Sequence, residues 1–537
     1  MAICKENSIT NYIRDRKKVI LFAIAVMILT MIPYIVGYST QGDGWRFTGF
    51  VIGVEDGNSY LTKMLSGADG DWLFRTPYSI EHQKGFLAFI SYILLGKLSS
   101  QPAQHDQLVA IYHWFRFFSG ILAIIAGYDF ISLFIKDIKW KWWAITILVF
   151  GGGGGWVLVI LEQKNFLGSL PLEFFSPESF GFLSLLGLPH LALARACFLW
   201  GFTVYLEKFP GYVMGIFWFI LGFLQPIYVV VAWAVVGIHL ILISTAKWRE
   251  KKGELSEIWE DVKVIYKRAL LGISISFPLI LYTSISFFTD PFLKIWDKQS
   301  NLPSPHLIHY LIAYGLYIPF ILLGVKNLLE NDTQKGYLIA GWLAVLPILV
   351  TAPVSAQRRL AEGIWAAITI TVISYFEKRK RLTFAERGYL SLTFPTTIII
   401  FLGAINAAGN ASTPLFRPEP EIQVYNYLAE NAPSRTIVLT AQETGNNLPT
   451  WTPQRVVLGH GPETTNSDQV EQEIERFFSL STTDNYRENF IKKFGVNYIL
   501  WGPLEKELGD WNPAEENYLI EIYNSGNYLI YQTVVTN

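Results

Sequence analysis

Two adjacent carboxylates, Glu55 and Asp56, open a stretch in which Tyr60, Leu61 and Met64 can share one face of a helix. A helix there sets Asp56 at its N-terminal end. A carboxylate in that position can take the proton of an attacking hydroxyl or amine that comes within hydrogen-bond reach. Such a reaction also needs cations where negative charge gathers on the leaving group; Lys63, Arg75 and the pair Arg358-Arg359 supply them. Asp56 is the candidate general base with Glu55 beside it, and the four cations are candidate ligands of an anionic group. His190, after Pro189, and His460, within Gly459-His460-Gly461-Pro462-Glu463, are candidates for substrate contact. Each has an ordinary alternative: a helix cap for Asp56, interfacial snorkelling for the arginine pair, a satisfied interfacial histidine for His190, and a turn-ordering side chain for His460.

Other residues point elsewhere. Glu162, Glu173 and Glu178 could share a hard cation, which wants several carboxylate oxygens, but their spacing matches no metal motif and no metal ligand is assigned. Gly151 to Gly155 lacks the Lys-Ser/Thr of a phosphate loop, so close helix packing or a local break is expected. Arg116 and Arg195 lie inside apolar runs, where an ionisable side chain is costly; Arg195 is expected to pair with an acid or a helix carbonyl. His306 and His309 are weaker candidates. Cys4 and Cys197, the two cysteines, lie in a polar tail and an apolar run and are not expected to pair.

The elements that must carry these residues follow from composition. Of the 537 residues 51% are apolar and only 16% are charged, against about 25% in soluble domains. Lys+Arg 43 and Asp+Glu 44 leave a net charge of -1, which removes the general electrostatic case for nucleic-acid binding. About 20 apolar residues in a helix cross a bilayer, and eleven such runs are expected, at 19–36, 107–135, 142–161, 187–206, 211–224, 225–246, 269–288, 307–325, 336–352, 360–376 and 389–409. The first, preceded by Arg14, Arg16, Lys17 and Lys18, reads as an uncleaved anchor. With the N-terminus in the cytoplasm, the cytoplasmic segments hold 23 Lys and Arg and the opposite loops 10, as the positive-inside rule requires. The stretch 85–98 is too short to span and reads as interfacial or re-entrant.

Residues 1–409 therefore read as a membrane domain, with a long first external loop at 39–106, and residues 410–537 as a soluble extracytoplasmic domain. A loop of that length without a fold of its own is usually functional. The tail alternates helices at 422–430, 467–479 and 484–494 with strands at 436–440, 455–459 and 496–501 and closes on a turn at Asn524-Ser525-Gly526, a small α/β pattern.

Asp56, Tyr60, Lys63-Met64, Gly67, Gly70-Asp71-Trp72 and Pro77-Tyr78, followed by the interfacial stretch and a span containing Arg116, resemble the first external loop of GT-C membrane glycosyltransferases, in the layout of aminoarabinose transferases and protein O-mannosyltransferases. The family's second acid falls at Gly57, so Asp56 is the better match to its acid/base position. The resemblance implies an α-helical polytopic membrane protein of GT-C type, with about eleven transmembrane helices and the small α/β domain. It implies an inverting glycosyltransferase of the plasma or inner membrane, moving a sugar from a polyprenyl phosphate to a glycan, lipid or protein acceptor at the outer face. No cofactor is certain; some oligosaccharyltransferase-like members of the class hold a divalent cation, which makes that ion a candidate. The tail segment 448–464 resembles, more weakly, that of uncharacterised bacterial members of the class. A polytopic transporter and an inactive scaffold of the same shape are the alternatives; few charges lie within the spans, which counts against the transporter, and the absent acid at Gly57 keeps the scaffold open.

Overall fold

The computed structural model describes residues 2–252 and 254–534, with the side chains of 2–14, including Cys4 and Arg14, outside the described set. The chain divides into two compact units: 1–31, 115–284 and 302–403 form one, and 32–114, 285–301 and 404–537 the other.

The first unit is helical. Seven helices among the described residues, some running from one unit into the other, are long and apolar enough to cross a membrane: Asp15–Thr40, Gln104–Ser132, Pro226–Glu250, Leu255–Thr289, Leu307–Asn331, Gln357–Arg379 and Phe384–Ala408. The four other expected spans also contain helix but fall short for physical reasons. Gly211–Leu224 has 14 residues and stops at extended Gln225, before Pro226 begins the next helix. Thr333–Leu349 has 17 residues, and Pro189–Leu206 has 18 with Arg195 in its middle.

The span expected at 142–161 is a correction. Ile138–Phe150 ends at Gly151, and the glycines run as irregular backbone to a five-residue helix, Trp156–Ile160. Backbone at that depth must find partners inside the protein. Gly152 N–H donates to Thr393 O (2.6 Å), Gly154 N–H to Ile312 O (3.2 Å) and Gly155 N–H to Glu173 Oε1 (2.7 Å). A Cβ on Gly153 would overlap Ala313 O, and one on Gly155 would overlap Glu173. The glycines thus let a broken helix thread through close-packed neighbours.

The second unit is built on a five-stranded sheet in the order β4-β3-β5-β7-β6, formed by β3 (Ile437–Leu439), β4 (Arg455–Val456), β5 (Val496–Trp501), β6 (Leu519–Ser525) and β7 (Tyr528–Thr533). β3 runs parallel to β4 and β5, whereas β7 runs antiparallel to β5 and β6. Helices Glu419–Asn431, Ser467–Phe478 and Asp484–Phe494 fall where the sequence pattern puts them, within a few residues at their ends. The first loop belongs to this unit. Its strand β1 (Trp45–Phe47) pairs antiparallel with β2 (Phe416–Pro418), and Tyr78 enters the core formed with Tyr425, Leu448 and Ile530.

Within the loop, helix Val54–Ala68 packs on Ile90–Gly96, the only helix formed by the expected interfacial stretch. Gly67 lies against Ile93 O and Gly96 against Met64 O, so neither position has room for a Cβ. Tyr60, Tyr92 and Tyr112 stack, with centroids 4.6 Å and 6.1 Å apart along the series. Gly57 also has a steric reason: a Cβ there would come within 2.5 Å of the Phe50 ring, so no acid fits at that position.

Gly67→Ala and Gly96→Ala are each expected to destabilise the protein by about 1–3 kcal/mol, the usual cost of forcing a methyl group into a packed contact. Gly403→Ala, whose Cβ would meet open space, should leave thermal unfolding in detergent unchanged or slightly raised. Equal melting temperatures for all three variants and wild type would contradict the close approach.

Candidate active site

The helix Val54–Ala68 begins at Gly53, which takes the left-handed backbone (φ 56°, ψ 49°) that glycine adopts at low cost. Gly53 is therefore the N-cap, and the capping role considered for Asp56 is not the one it has. Glu55 and Asp56 occupy the first turn, where the positive end of the helix favours carboxylates. Both are exposed, Asp56 by 57% of its side chain. One and two turns on, Ser59 and Lys63 are buried.

The tail brings His460 to Asp56. Gly459 packs so closely on Tyr78 that a Cβ would overlap the ring, and Tyr78 OH donates to Asn446 O at 2.8 Å. Asn58 Nδ2 donates to Asn446 Oδ1 at 2.8 Å and Asn446 Nδ2 to Glu55 O at 3.3 Å, which fixes the start of the loop helix against the tail. His460, 7% exposed, places Nε2 3.3 Å from Asp56 Oδ1 and Nδ1 3.4 Å from Glu463 Oε1. Glu463 Oε1 also accepts from Lys63 Nζ and from Ser59 Oγ, each at 2.6 Å. The residues form a row, from exposed Asp56 through His460 and Glu463 to fully buried Lys63.

Their electrostatics follow from burial and contact. Burial alone would depress His460, but its two carboxylate neighbours outweigh that and push it up to about 9. Burial would raise Glu463, yet Lys63 and His460 hold it well below the usual carboxylate range. Lys63 is lowered from the ordinary lysine value because burial outweighs its ion pair.

Two of the expected phosphate ligands have partners of their own. Lys63, 1% exposed, lies against Glu463 and beneath the Phe89 ring (4.3 Å), so its ammonium is enclosed by protein and closed to a phosphate. Arg75 donates to Gln83 O (3.3 Å) and Lys84 O (3.2 Å) and lies 3.4 Å from Asp71, holding the turn at 83–85. It lines a polar cleft of about 800 Å³ with Asp69, Asp71, Arg435 and Arg455. Glu463, three residues beyond His460 in the same short motif, meets both His460 and Lys63. The three-residue spacing of the two was the available signal.

The remaining candidates belong to the first unit. His190 is buried in the first turn of Pro189–Leu206. Arg195 makes a two-pronged pair with Glu362, 2.7 and 2.9 Å, and donates to Pro177 O at 2.7 Å, so its expected pairing with an acid and carbonyls holds. Arg358 covers the Phe175 ring at 4.6 Å, and Arg359 lies 3.6 Å from buried Glu178. The Nε groups of both arginines are buried without a hydrogen-bond partner among the described residues. His306 caps a helix by accepting from Ile308 N–H, and His309 contacts Phe166 O at 2.8 Å.

The divalent-ion reading does not fit the acids proposed for it. Glu173 accepts from Gly155 N–H, Glu178 accepts from Ser176 Oγ and faces Arg359, and Glu162 is exposed. No group of three or more metal-capable side chains forms among the described residues.

No protein-family model matches the sequence, and no curated protein matches it. Solved structures do match. The mycobacterial arabinofuranosyltransferase AftD superposes with a TM-score of 0.53 at 10% identity, over 97% of this chain and 40% of that one. ArnT from Cupriavidus metallidurans, solved with undecaprenyl phosphate, gives 0.50 at 11% identity over 94% and 97%. The oligosaccharyltransferase AglB from Archaeoglobus fulgidus, solved with an inhibitory peptide and a dolichol-phosphate, gives 0.50 at 11% identity over 90% and 69%. At such identity the likeness is one of fold, and that fold is the GT-C architecture of a polytopic membrane protein.

His460, raised when folded, contributes stability that is complete below its unfolded value of 6.5 and is lost as pH climbs through about 9. Amide exchange across 457–464, corrected for intrinsic rate, should accelerate between about pH 8 and 10. His460→Gln should remove that step, and a flat wild-type profile would count against the ionised histidine.

Proposed function

We propose that this GT-C-fold membrane protein is a glycosyltransferase that moves a sugar from a polyprenyl phosphate to a glycan, lipid or protein acceptor at the outer face. The observation that carries the reading is the exposed Asp56 carboxylate in the first turn of the loop helix, with His460 beside it, in a chain of GT-C fold. Two of the similar structures, AglB and ArnT, hold a dolichol-phosphate and undecaprenyl phosphate, which supports the class of donor proposed here.

In the proposed reaction an acceptor hydroxyl or amine attacks the anomeric carbon as Asp56 accepts its proton. The bond from that carbon to the carrier phosphate breaks, its electron pair leaves with the phosphate, and configuration inverts. Arg358 and Arg359 are the proposed phosphate ligands, since their buried Nε groups have no hydrogen-bond partner among the described residues and charge-assisted hydrogen bonds to an anion would satisfy them. Glu55, exposed beside Asp56, adds negative charge at the helix start. His190 remains a proposed substrate contact. The proposed topology keeps 1–409 as the membrane domain with its N-terminus cytoplasmic and 410–537 as the extracytoplasmic domain, supported by the distribution of Lys and Arg.

Membranes carrying wild type or Asp56→Asn, supplied with labelled polyprenyl-phosphate sugars, test the reading by release of free lipid phosphate. Release should fall by about 10²–10⁴-fold in the variant, the range a general base contributes. Equal release at matched expression would remove Asp56 from the mechanism. Arg358→Ala and Arg359→Ala should each raise the donor KM by about ten- to a hundredfold, as expected for a lost charged hydrogen bond. An unchanged KM would move the phosphate elsewhere.

A further inference from the structure

The row from Asp56 to Lys63 contains more machinery than a single base requires. A histidine can donate from both ring nitrogens only as the imidazolium. Nε2 of His460 lies 3.3 Å from Asp56 Oδ1 and Nδ1 lies 3.4 Å from Glu463 Oε1, the latter an ion-pair contact without hydrogen-bond geometry, so the ring sits between two carboxylates whose charge favours the imidazolium. The other groups near the ring are Lys63 and Glu55 from the loop helix and Tyr78, whose ring lies 5.9 Å away and whose hydroxyl burial pushes up, keeping it neutral. Lys63, His460, Glu463 and Asp56 carry equal positive and negative charge, which lets three of them be buried together. Glu463 Oε2 has no hydrogen-bond partner among the described residues, and Oε1 meets Ser59, Lys63 and His460, so the carboxylate is oriented toward Lys63 and His460.

We propose that Glu463 and Lys63 are positioning residues for the transfer reaction: their buried ion pair fixes His460 as an imidazolium, and His460 holds the Asp56 carboxylate ionised and aimed. The inference rests on the function proposed above and moves His460 from substrate contact to Asp56. It gives the tail a part in the chemistry of the first loop. An exposed aspartate in a helix first turn samples several rotamers, whereas one held from behind by a buried cation keeps a single orientation. The proton that Asp56 takes from the acceptor is shed to solvent because the adjacent imidazolium favours the ionised carboxylate over the neutral acid; the base is thereby reset with no other group changing its protonation.

Wild type and Glu463→Gln are compared for release of lipid phosphate from a cleavable donor across about pH 6 to 10, with His460 followed by imidazole NMR. The wild-type rate should hold until His460 deprotonates near pH 9. In Glu463→Gln the fall should begin near pH 7, with His460 titrating at the same lower pH, and the rate at pH 8.5 should be at least about tenfold below wild type with donor KM unchanged. At about pH 6, where His460 is protonated in both proteins, the variant should return to within about threefold of wild type, a recovery that a misfolded protein cannot show. Lys63→Met/Glu463→Gln, which leaves no unpaired lysine buried, should show the same alkaline shift with better folding. A wild-type pH limb and kcat in both variants would overturn the positioning role and leave glycosyl transfer standing. Wild-type His460 titrating near 6.5 would overturn the imidazolium. Wild type that cleaves none of the donors would overturn the transferase reading and this role with it.

Discussion

The second unit depends on one ion pair. Lys63 and Glu463 stand 400 positions apart in the chain, meet at 2.6 Å, and are 1% and 2% exposed. Taking two charges out of water costs several kcal/mol each, and a pair so placed is weak evidence of net stability. What it does impose is register, because either charge left alone would be far costlier than the pair. Around it the loop and tail are joined by β1 with β2, by Asn58 with Asn446, and by Arg455 donating to the carbonyls of Ser79 and Glu81. A 60-residue loop with little core of its own thereby acquires one, and the position of Asp56 becomes a consequence of where the tail packs.

The first unit obeys the corresponding rule for apolar surroundings, that each polar group must be answered within the protein. Arg195 is answered by Glu362 and carbonyls, Arg116 donates to Thr30 Oγ1 and Leu185 O, and the backbone freed at the glycine break is answered by Thr393, Ile312 and Glu173. These charges therefore hold helices together. Arg358 and Arg359 differ from them in keeping buried Nε groups without a hydrogen-bond partner among the described residues, that of Arg359 lying 3.6 Å from Glu178, and that difference is the reason they are the proposed anion ligands.

Much of the site was legible. Spacing placed Asp56 in the first turn of a helix with Tyr60, Leu61 and Met64 buried on it, and Gly459-His460-Gly461-Pro462-Glu463 stood out as a turn able to present a histidine. The free availability of Lys63 and Arg75 was not legible, because a cation's use depends on its partner, and the partners are a tail carboxylate for one and loop carbonyls for the other. The missing acid at Gly57 looked like a sign of lost function in the sequence. In space it is a packing requirement of Phe50, and carries no such meaning.

By itself the sequence determined the apolar runs and their order, the α/β pattern of the tail and the residue types able to move a proton or meet a phosphate. All of these are set by local periodicity, composition and backbone preference, which act over a few turns of chain. Only the tertiary structure decided which acid faces which cation, that the first loop joins the tail in one unit, and that His460 stands between Asp56 and Glu463. Those outcomes rest on distances of a few ångströms between segments hundreds of residues apart, and on the removal of water from between them, neither of which spacing along the chain records.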